Sequence, residues 1–406
     1  MKAFLVLICF IFCTLLETYA QEDRWVRVID DQRGSLIPFG IVSDSELNVC
    51  TAGIFNSTID FDPGSGIQDV TSVGFLDIFI NKIDSNGSYQ WNLTFGDQNE
   101  DILYGVEQDF EENLLSFGIF RDTITFQHGN SNALHLSKGI FDGFLAKFSV
   151  DGIYKWSLTF GGKSTDVAKG VSFGKDNSIY LAGLIEDTVV FNFLNGTIIA
   201  VTNSPKDFIL KIDSVGNFQW LNTYDIRIGK IGADQFGQLY ITGLLEDTMT
   251  LSTQNGDLFL SPKGPRDLLF ARLDSLGNFQ WIENIRSNQA ISSTSFQNLN
   301  VDNRGNLYLH GSFFDTLSIS NLPGKVLISN GNKDAFICKV DSNGNISWLK
   351  SFGGSKNDQI TSMVLDDNSN IFLSAVVNDE VKFLNDNGVV KTFFNSLQSQ
   401  NIIKFD

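Results

Sequence analysis

Few residues of this chain have the types and spacing that chemistry requires. The three histidines, His128, His135 and His310, accompany no serine or cysteine motif, so the sequence indicates no pair of nucleophile and base. They also lack the close spacing of zinc ligands. No phosphate-binding loop or dinucleotide fingerprint is present. We therefore predict no catalytic residues, no cofactor-binding residues and no metal ligands.

Carboxylates are the remaining candidates. A glycoside hydrolase or a lyase would need two non-repeated acids, and the candidates are Glu46, Glu100, Asp101 and Glu107, although no spacing pairs them. Other aspartates recur at one strand position, whereas a catalytic carboxylate is needed only once. We expect these repeated aspartates to bond backbone amides or neighbouring repeats; they are Asp77, Asp142, Asp207, Asp267 and Asp334.

Calcium is the one metal that the acidic loops leave open. Residues 60–64 and 366–368 cluster side-chain oxygens, which calcium prefers. Neither stretch has the alternating acidic spacing of a calcium-binding loop. We expect no cofactor, with bound calcium as the alternative.

The elements that position these residues come from an internal repeat. All six tryptophans recur at intervals of 61 to 67 residues: Trp25, Trp91, Trp156, Trp220, Trp281 and Trp348. Each of the five later tryptophans follows a short link such as residues 84–87 that contains Gly and usually Asp, and the strand after that link alternates apolar and polar residues. Such links form hairpin turns, because Asp bonds nearby amides and Gly accepts positive φ. We expect the tryptophans from Trp91 onward to be core residues.

Each repeat predicts four antiparallel strands, with the tryptophan strand outermost and an extra hairpin between the second strand and the third. Radially repeated units of this kind build a β-propeller. The tryptophan strand at residues 24–29 precedes the first complete unit, and the last unit ends at residues 399–406 without an outer strand. The prediction is therefore an all-β, six-bladed β-propeller, closed by pairing residues 24–29 with residues 399–406.

The units also resemble a known family. Phe160-Gly161-Gly162 with Asp166, and Phe352-Gly353-Gly354 with Asp358, open a pattern similar to that of secreted bacterial β-propeller repeats, called SBBP repeats. Phe61-Asp62-Pro63-Gly64 matches a phrase found in the insertions of that family. Tyr224-Asp225 and Ile285-Arg286 replace the Phe-Gly-Gly in two units. The resemblance covers all six units and implies a propeller fold, with no catalytic motif belonging to the repeat.

The amino terminus and the charge indicate the compartment. Residues 1–20 have the basic start, apolar stretch and small carboxy-terminal residues of a signal peptide, so residues 21–406 form the predicted single mature domain. We expect secretion to the exterior or the cell surface, with the periplasm as the alternative. The net charge of −18 argues against nucleic acid and anionic membranes as partners. We expect no membrane span, a monomer, and buried, unpaired thiols at Cys50 and Cys338.

Two functions remain open from sequence. The first is a non-enzymatic scaffold for binding or adhesion that holds a protein or glycan ligand on its loops or channel mouth. The alternative is a carbohydrate-active hydrolase or lyase that uses carboxylates at the channel mouth. A concave site lined by unlike, non-repeated polar groups would locate the function.

Overall fold

The computed structural model describes residues 27–29, 34–128, 131–253, 256–262, 264–287, 299–319, 325–366, 368–385 and 388–405. All regular structure in this part of the chain is β-strand. No segment of it forms a helix with the length and hydrophobicity needed to cross a bilayer.

Five successive units each contain four antiparallel strands, ordered along the sheet as they occur along the chain. The strands of units 1 and 2 are β1 (Gly34–Ser43), β2 (Val49–Asp60), β4 (Asp77–Ile83) and β5 (Tyr89–Phe95), then β6 (Ile102–Gln108), β7 (Leu114–Phe120), β10 (Asp142–Phe148) and β11 (Tyr154–Gly161). Those of units 3 and 4 are β12 (Val167–Phe173), β13 (Ile179–Ile185), β16 (Lys206–Ile212) and β17 (Phe218–Tyr224), then β18 (Arg227–Ala233), β19 (Leu239–Leu245), β22 (Asp267–Leu273) and β23 (Phe279–Ser287). Unit 5 contains β24 (Asn300–Val301), β25 (Leu307–Phe313), β28 (Asp334–Val340) and β29 (Ile346–Gly353).

The predicted extra hairpins are confirmed in units 2 to 5. They are β8 (Thr123–His128) with β9 (Ser131–Leu136), β14 (Thr188–Phe193) with β15 (Gly196–Val201), β20 (Met249–Thr253) with β21 (Gly256–Leu260), and β26 (Thr316–Ile319) with β27 (Val326–Ile328). In unit 1 the short strand β3 (Asp69–Thr71) pairs with β2. Two of the hairpins extend the preceding unit, because β14 pairs with β11 and β26 pairs with β23.

A sixth unit follows with β30 (Gln359–Leu365), β31 (Ile371–Asn385) and β32 (Gly388–Phe405). Among the described strands, β32 pairs with β31 alone. Residues 24–26 of the predicted closing strand lie outside the described residues, and residues 27–29 form no strand. The chain is thus an all-β, propeller-like succession of antiparallel units.

The hairpin turns form as their sequence predicts. In the turn after β4, the amide of Gly87 donates to the carbonyl of Asp84 at 2.8 Å, and Gly87 has a φ of 77°. The Asp84 carboxylate accepts from the amide of Asn86, also at 2.8 Å. A side-chain bond of this kind and a left-handed glycine together fix the tight link. The turn after β16 repeats the arrangement at Asp213 and Gly216.

The tryptophans join one unit to the next. Four of them lie against the turn glycine of the following unit, where an added Cβ would come within 2.9–3.3 Å of the indole: Trp91 on Gly152, Trp156 on Gly216, Trp220 on Gly277 and Trp281 on Gly344. Trp156 is 5% exposed, whereas Trp91, Trp220, Trp281 and Trp348 are partly exposed. The prediction of core tryptophans therefore holds fully for Trp156 alone, because the outer strand of a unit leaves one edge of the ring in solvent.

Buried cations make a second link between units. The Lys147 ammonium lies 2.7 Å from Oδ2 of Asp109 in its own unit and donates to the carbonyl of Ser214 in the next unit at 3.0 Å. Lys82 repeats this pattern with Asp44 and Val150. Neighbouring units are thus held by charge-assisted hydrogen bonds in addition to their apolar contacts.

Candidate functional site

A cavity of about 330 Å³ is lined mainly by the first strands of units 2 to 6, which are β6, β12, β18, β24 and β30. We call the first strand of each unit its innermost strand. Its polar lining consists of Glu107 from β6, Ser172 from β12, Lys230 from β18, Asn300 from β24, His310 from β25 and Ser362 from β30. Apolar walls include Phe173, Leu299 and Met363. We refer to these residues together as the central cavity. Five units contribute these six polar side chains, two of which, Asn300 and His310, come from unit 5.

Local strand geometry determines which residues line the central cavity. The innermost strands of units 1, 2, 3, 4 and 6 each have a β-bulge at the equivalent point. In that order, the bulges lie between Pro38 and Gly40, Leu103 and Gly105, Ala168 and Gly170, Ile228 and Lys230, and Ile360 and Ser362. A bulge bends the strand and redirects the side chains beside it. The position after the bulge is glycine in units 1, 2 and 3. In units 4 and 6 it is Lys230 and Ser362, so the shared geometry presents unlike groups.

The two charges of the central cavity oppose each other. Nζ of Lys230 lies 3.6 Å from Oε1 of Glu107, and both side chains are about one-third exposed. Burial raises the pKa of Glu107, while Lys230 favours its charged form and lowers that pKa. A separation of 3.6 Å is longer than a normal hydrogen bond, so both groups keep hydrogen-bonding capacity. A bound ligand could use that capacity without first breaking a tight ion pair.

His310 is the most buried polar group of the cavity. It is 1% exposed, and burial lowers its pKa to about 4, so the imidazole is uncharged at neutral pH. Its Nδ1 is buried without a hydrogen-bond partner. An unsatisfied ring nitrogen in a low-dielectric environment is costly. That cost marks His310 as a position where a ligand can add a hydrogen bond.

Of the four candidate acids, only Glu107 lines the central cavity. Glu46 is an exposed turn residue, and its amide donates to the Asp44 carboxylate at 3.1 Å. Glu100 forms an isolated parallel bridge with Leu76. Asp101 is fully buried and accepts hydrogen bonds from the amides of Asp97 and Arg121. The four acids therefore do not form one catalytic pair.

The repeated aspartates have structural roles, as predicted. Asp77 accepts from the amides of Val73 and Gly74 at 2.8 and 3.3 Å, and Asp142 repeats this with Lys138 and Gly139 at 3.1 and 3.3 Å. Asp207 pairs with Lys169 at 2.6 Å, Asp267 accepts from Asn284 at 2.9 Å, and Asp334 accepts from the amide of Asn330 at 3.0 Å. Asp77, Asp142 and Asp334 thus hold the connection that precedes their strand, whereas Asp207 and Asp267 bond side chains on other strands of their own units.

A second set of buried aspartates lies close to this one. Asp166 and Asp358, with Asp101, bond the backbone after the outer strands, as Asp166 does with the amides of Gly162 and Glu186. Burial raises the pKa of Asp101 to about 8. Burial first, and then the charge of Asp166, raises the pKa of Asp142 to about 6. The carboxyl groups of Asp101 and Asp142 therefore favour the protonated form at mildly acidic pH.

In the acidic loops considered for calcium, carboxylate oxygens accept hydrogen bonds from backbone amides of the same loop. Oδ1 of Asp60 accepts from the amides of Asp62 and Gln68, and Oδ1 of Asp62 accepts from Gly64. Asp366 does the same with Asn368 and Asn370, while Asp367 lies outside the described residues. In the described part of the chain, no three acidic, histidine or cysteine side chains gather in a way that could hold a metal.

The other predicted candidates lie away from the central cavity. His135 bonds Ser157 at 2.7 Å in the hairpin of unit 2, and the side chain of His128 lies outside the described residues. Cys50 and Cys338 are buried and form no disulfide, and burial raises the pKa of the Cys50 thiol to about 12. Neither thiol is positioned or ionised to act as a nucleophile.

Comparison with known proteins gives distant similarities. No family model matches the chain. An uncharacterised WD repeat-containing protein of Acanthamoeba polyphaga mimivirus is 24% identical over 231 residues, which span 50% of this chain and 16% of that protein. Among solved structures, BamB from Moraxella catarrhalis is 10% identical with a TM-score of 0.26, covering 85% of this chain and 96% of that one. A protein of unknown function from Bacteroides caccae is 9% identical with a TM-score of 0.33, covering 62% and 69%.

Proposed function

We propose that this protein is a secreted, non-enzymatic, six-bladed β-propeller that binds a ligand in its central cavity. In this proposal the units belong to SBBP-type repeats, residues 1–20 are a removed signal peptide, and the mature protein is a monomer that needs no cofactor. One observation carries the binding function. Glu107, Lys230 and His310 come from three different units and meet in one cavity. No other described unit has a charged residue or a histidine at the equivalent positions.

The contacts of Arg27 support closure of the ring. Arg27 follows Trp25 by two residues and donates to the carbonyls of Gly87 and Asn86 in the first hairpin turn, at 2.8 and 3.3 Å. Asn222 follows Trp220 by two residues and donates to the carbonyl of Leu276 in the next unit's turn at 2.9 Å. Arg27 therefore contacts unit 1 as an outer-strand residue contacts the unit that follows it. This is the place that an outer strand of unit 6 would occupy.

An exposed residue on the innermost strand of unit 1 supports the same closure. Ile41 pairs with Thr51 just as Val106 pairs with Ser116 and Ile231 with Ile241. Val106 and Ile231 are 4% and 2% exposed, because each packs against the neighbouring unit, whereas Ile41 is 70% exposed. A large apolar side chain at a position buried elsewhere favours a partner surface. In a closed ring, unit 6 supplies that surface.

Ligand screening tests the binding function. Thermal unfolding of the mature protein would be measured against separate sets of sugars, amino acids, nucleosides and peptides, since a ligand of the folded state raises the melting temperature. We expect a ligand whose effect is lost in Lys230→Met and in Glu107→Gln and kept in Lys155→Met, which removes an exposed lysine of β11. A ligand whose effect survives both cavity variants would contradict the proposed site. Turnover of any ligand found would contradict the non-enzymatic proposal.

A further inference from the structure

The polar groups of the central cavity carry no net charge. Glu107 supplies one negative charge and Lys230 one positive charge. The third titratable side chain, His310, is uncharged at neutral pH because burial lowers its pKa to about 4. A charged ligand would bring an uncompensated charge into a partly desolvated space, which is unfavourable. The charge balance therefore favours an uncharged ligand.

The hydrogen-bonding groups of the cavity suit hydroxyl groups. A hydroxyl donates one hydrogen bond and accepts others, so it can donate to the Glu107 carboxylate and accept from the Lys230 ammonium. These two groups lie 3.6 Å apart, which leaves both able to bond a ligand. Ser172 and Ser362 add two further groups that both donate and accept. His310 adds a buried ring nitrogen with no partner at Nδ1.

The remaining walls suit carbon-bound hydrogens. Phe173, Leu299 and Met363 give the cavity an apolar side in addition to its polar groups. A volume of about 330 Å³ is near the lower end of small-ligand sites, about 300–1,000 Å³. It fits a compact molecule rather than a folded partner. A saccharide ring has these properties, because it is compact and uncharged and has several hydroxyls and an apolar face.

We propose, resting on the binding function above, that the central cavity binds a neutral sugar ring through hydroxyls shared between Glu107 and Lys230. Ser172, Ser362 and His310 contact further hydroxyls, and Phe173 packs on the apolar face of the ring. The ring comes from a free sugar or from the end of a glycan. These two sources share the same chemistry, so the test has an arm for each.

Isothermal titration calorimetry of the mature protein tests the proposal with named probes. D-glucose, D-galactose, D-mannose, L-rhamnose and L-fucose are the neutral sugars, and D-glucosamine and D-galacturonate are charged counterparts of the first two. Methyl glycosides of the neutral sugars represent glycan ends. We expect at least one neutral sugar to bind more tightly than either charged probe. A preference for its methyl glycoside would identify the glycan end as the source, and a preference for the free sugar the reverse.

Variants then connect the binding to the cavity. Lys230→Met and Glu107→Gln should each weaken the sugar about tenfold or more, because each removes a charge-assisted hydrogen bond. The control Lys155→Met should bind as the wild type does. Circular dichroism and melting would verify that each variant folds, and Ser172→Ala provides a milder change at the same site.

Two results would overturn the proposal. One is the absence of binding by every neutral sugar at millimolar concentration, and the other is tighter binding of D-glucosamine or D-galacturonate. If a ligand of another class binds and depends on Lys230, the cavity is still the binding site and only its sugar assignment fails. If every ligand found is indifferent to the cavity variants, the proposed binding function itself fails.

Discussion

Removing the Lys147 ammonium should destabilise the protein strongly. Lys147 and Asp109 are 2% and 1% exposed in their side chains, and their charged atoms lie 2.7 Å apart. Burial by itself would raise the pKa of Asp109, but hydrogen bonds from Lys147 and Asn113 outweigh it and lower that pKa. Lys147→Met leaves a buried carboxylate without its counter-charge and also cuts the bond to Ser214 in unit 3. The expected loss of unfolding free energy is about 3–5 kcal/mol.

Urea denaturation at pH 7, followed by tryptophan fluorescence, measures this loss. Lys155→Met replaces an exposed lysine in the adjacent strand and should change stability by no more than about 0.5 kcal/mol. The double variant Lys147→Met with Asp109→Asn removes the stranded charge as well, so it should regain part of the loss. A cost for Lys147→Met below about 1 kcal/mol, as for an exposed pair, would refute the reasoning. A double variant as unstable as the single one would also refute it.

Four further predictions follow from other contacts. Burial raises the pKa of Asp101 to about 8, whereas the pKa in the unfolded chain is about 3.9. The protonated Asp101 therefore contributes to the free energy of unfolding in full below pH 4, and this contribution is lost as the pH rises through 8. The melting temperature should therefore fall between pH 5 and pH 8, and Asp101→Asn should flatten that fall; an unchanged slope would contradict it. Trp156→Ala should lower the free energy of unfolding in urea by about 3–5 kcal/mol, because the side chain is buried. A loss of no more than about 0.5 kcal/mol, as for an exposed residue, would argue against that burial. Deleting residues 21–30 should lower the melting temperature if they contain the proposed closing strand, and an unchanged value would refute closure. Ile41→Asp should destabilise only a closed ring, so neutrality in the same assay would count against packing of unit 6 on unit 1.

The units were predictable because their signals are local. An Asp- and Gly-containing turn such as residues 84–87 needs only its own four residues to form, and the alternating strand after it needs only one apolar face. The extra hairpins were also predictable from the sequence, because stretches such as β14 are rich in β-branched and aromatic residues. Order along each sheet then follows from short antiparallel connections.

Contacts between units could not be predicted in the same way. The spacing of Trp220 marks an outer strand, but its contact with Gly277 depends on how unit 4 sits beside unit 3. The sequence likewise indicates a cation at Lys147 without identifying Asp109 as its partner, which lies in an earlier turn of the same unit. Such contacts join residues far apart in the chain, and a repeat pattern does not specify them. The partial exposure of Trp220 was missed for this reason.

The central cavity shows which signal in the sequence was overlooked. Recurrence at one strand position marks residues of the framework, such as the repeated aspartates, and the same repeat also shows which positions hold residues that do not recur. Glu107 and Ser172 hold the position that is Gly232 in unit 4, and Asn300 holds it in unit 5, as their ladder partners show. A comparison of equivalent innermost positions would have selected Glu107 from the four candidate acids. It could not have shown that Lys230 opposes Glu107, because that pairing spans the intervening unit and exists only once the units are arranged around the cavity. In a repeat protein, the framework makes neighbouring positions equivalent, and function therefore resides in the positions where that equivalence is broken.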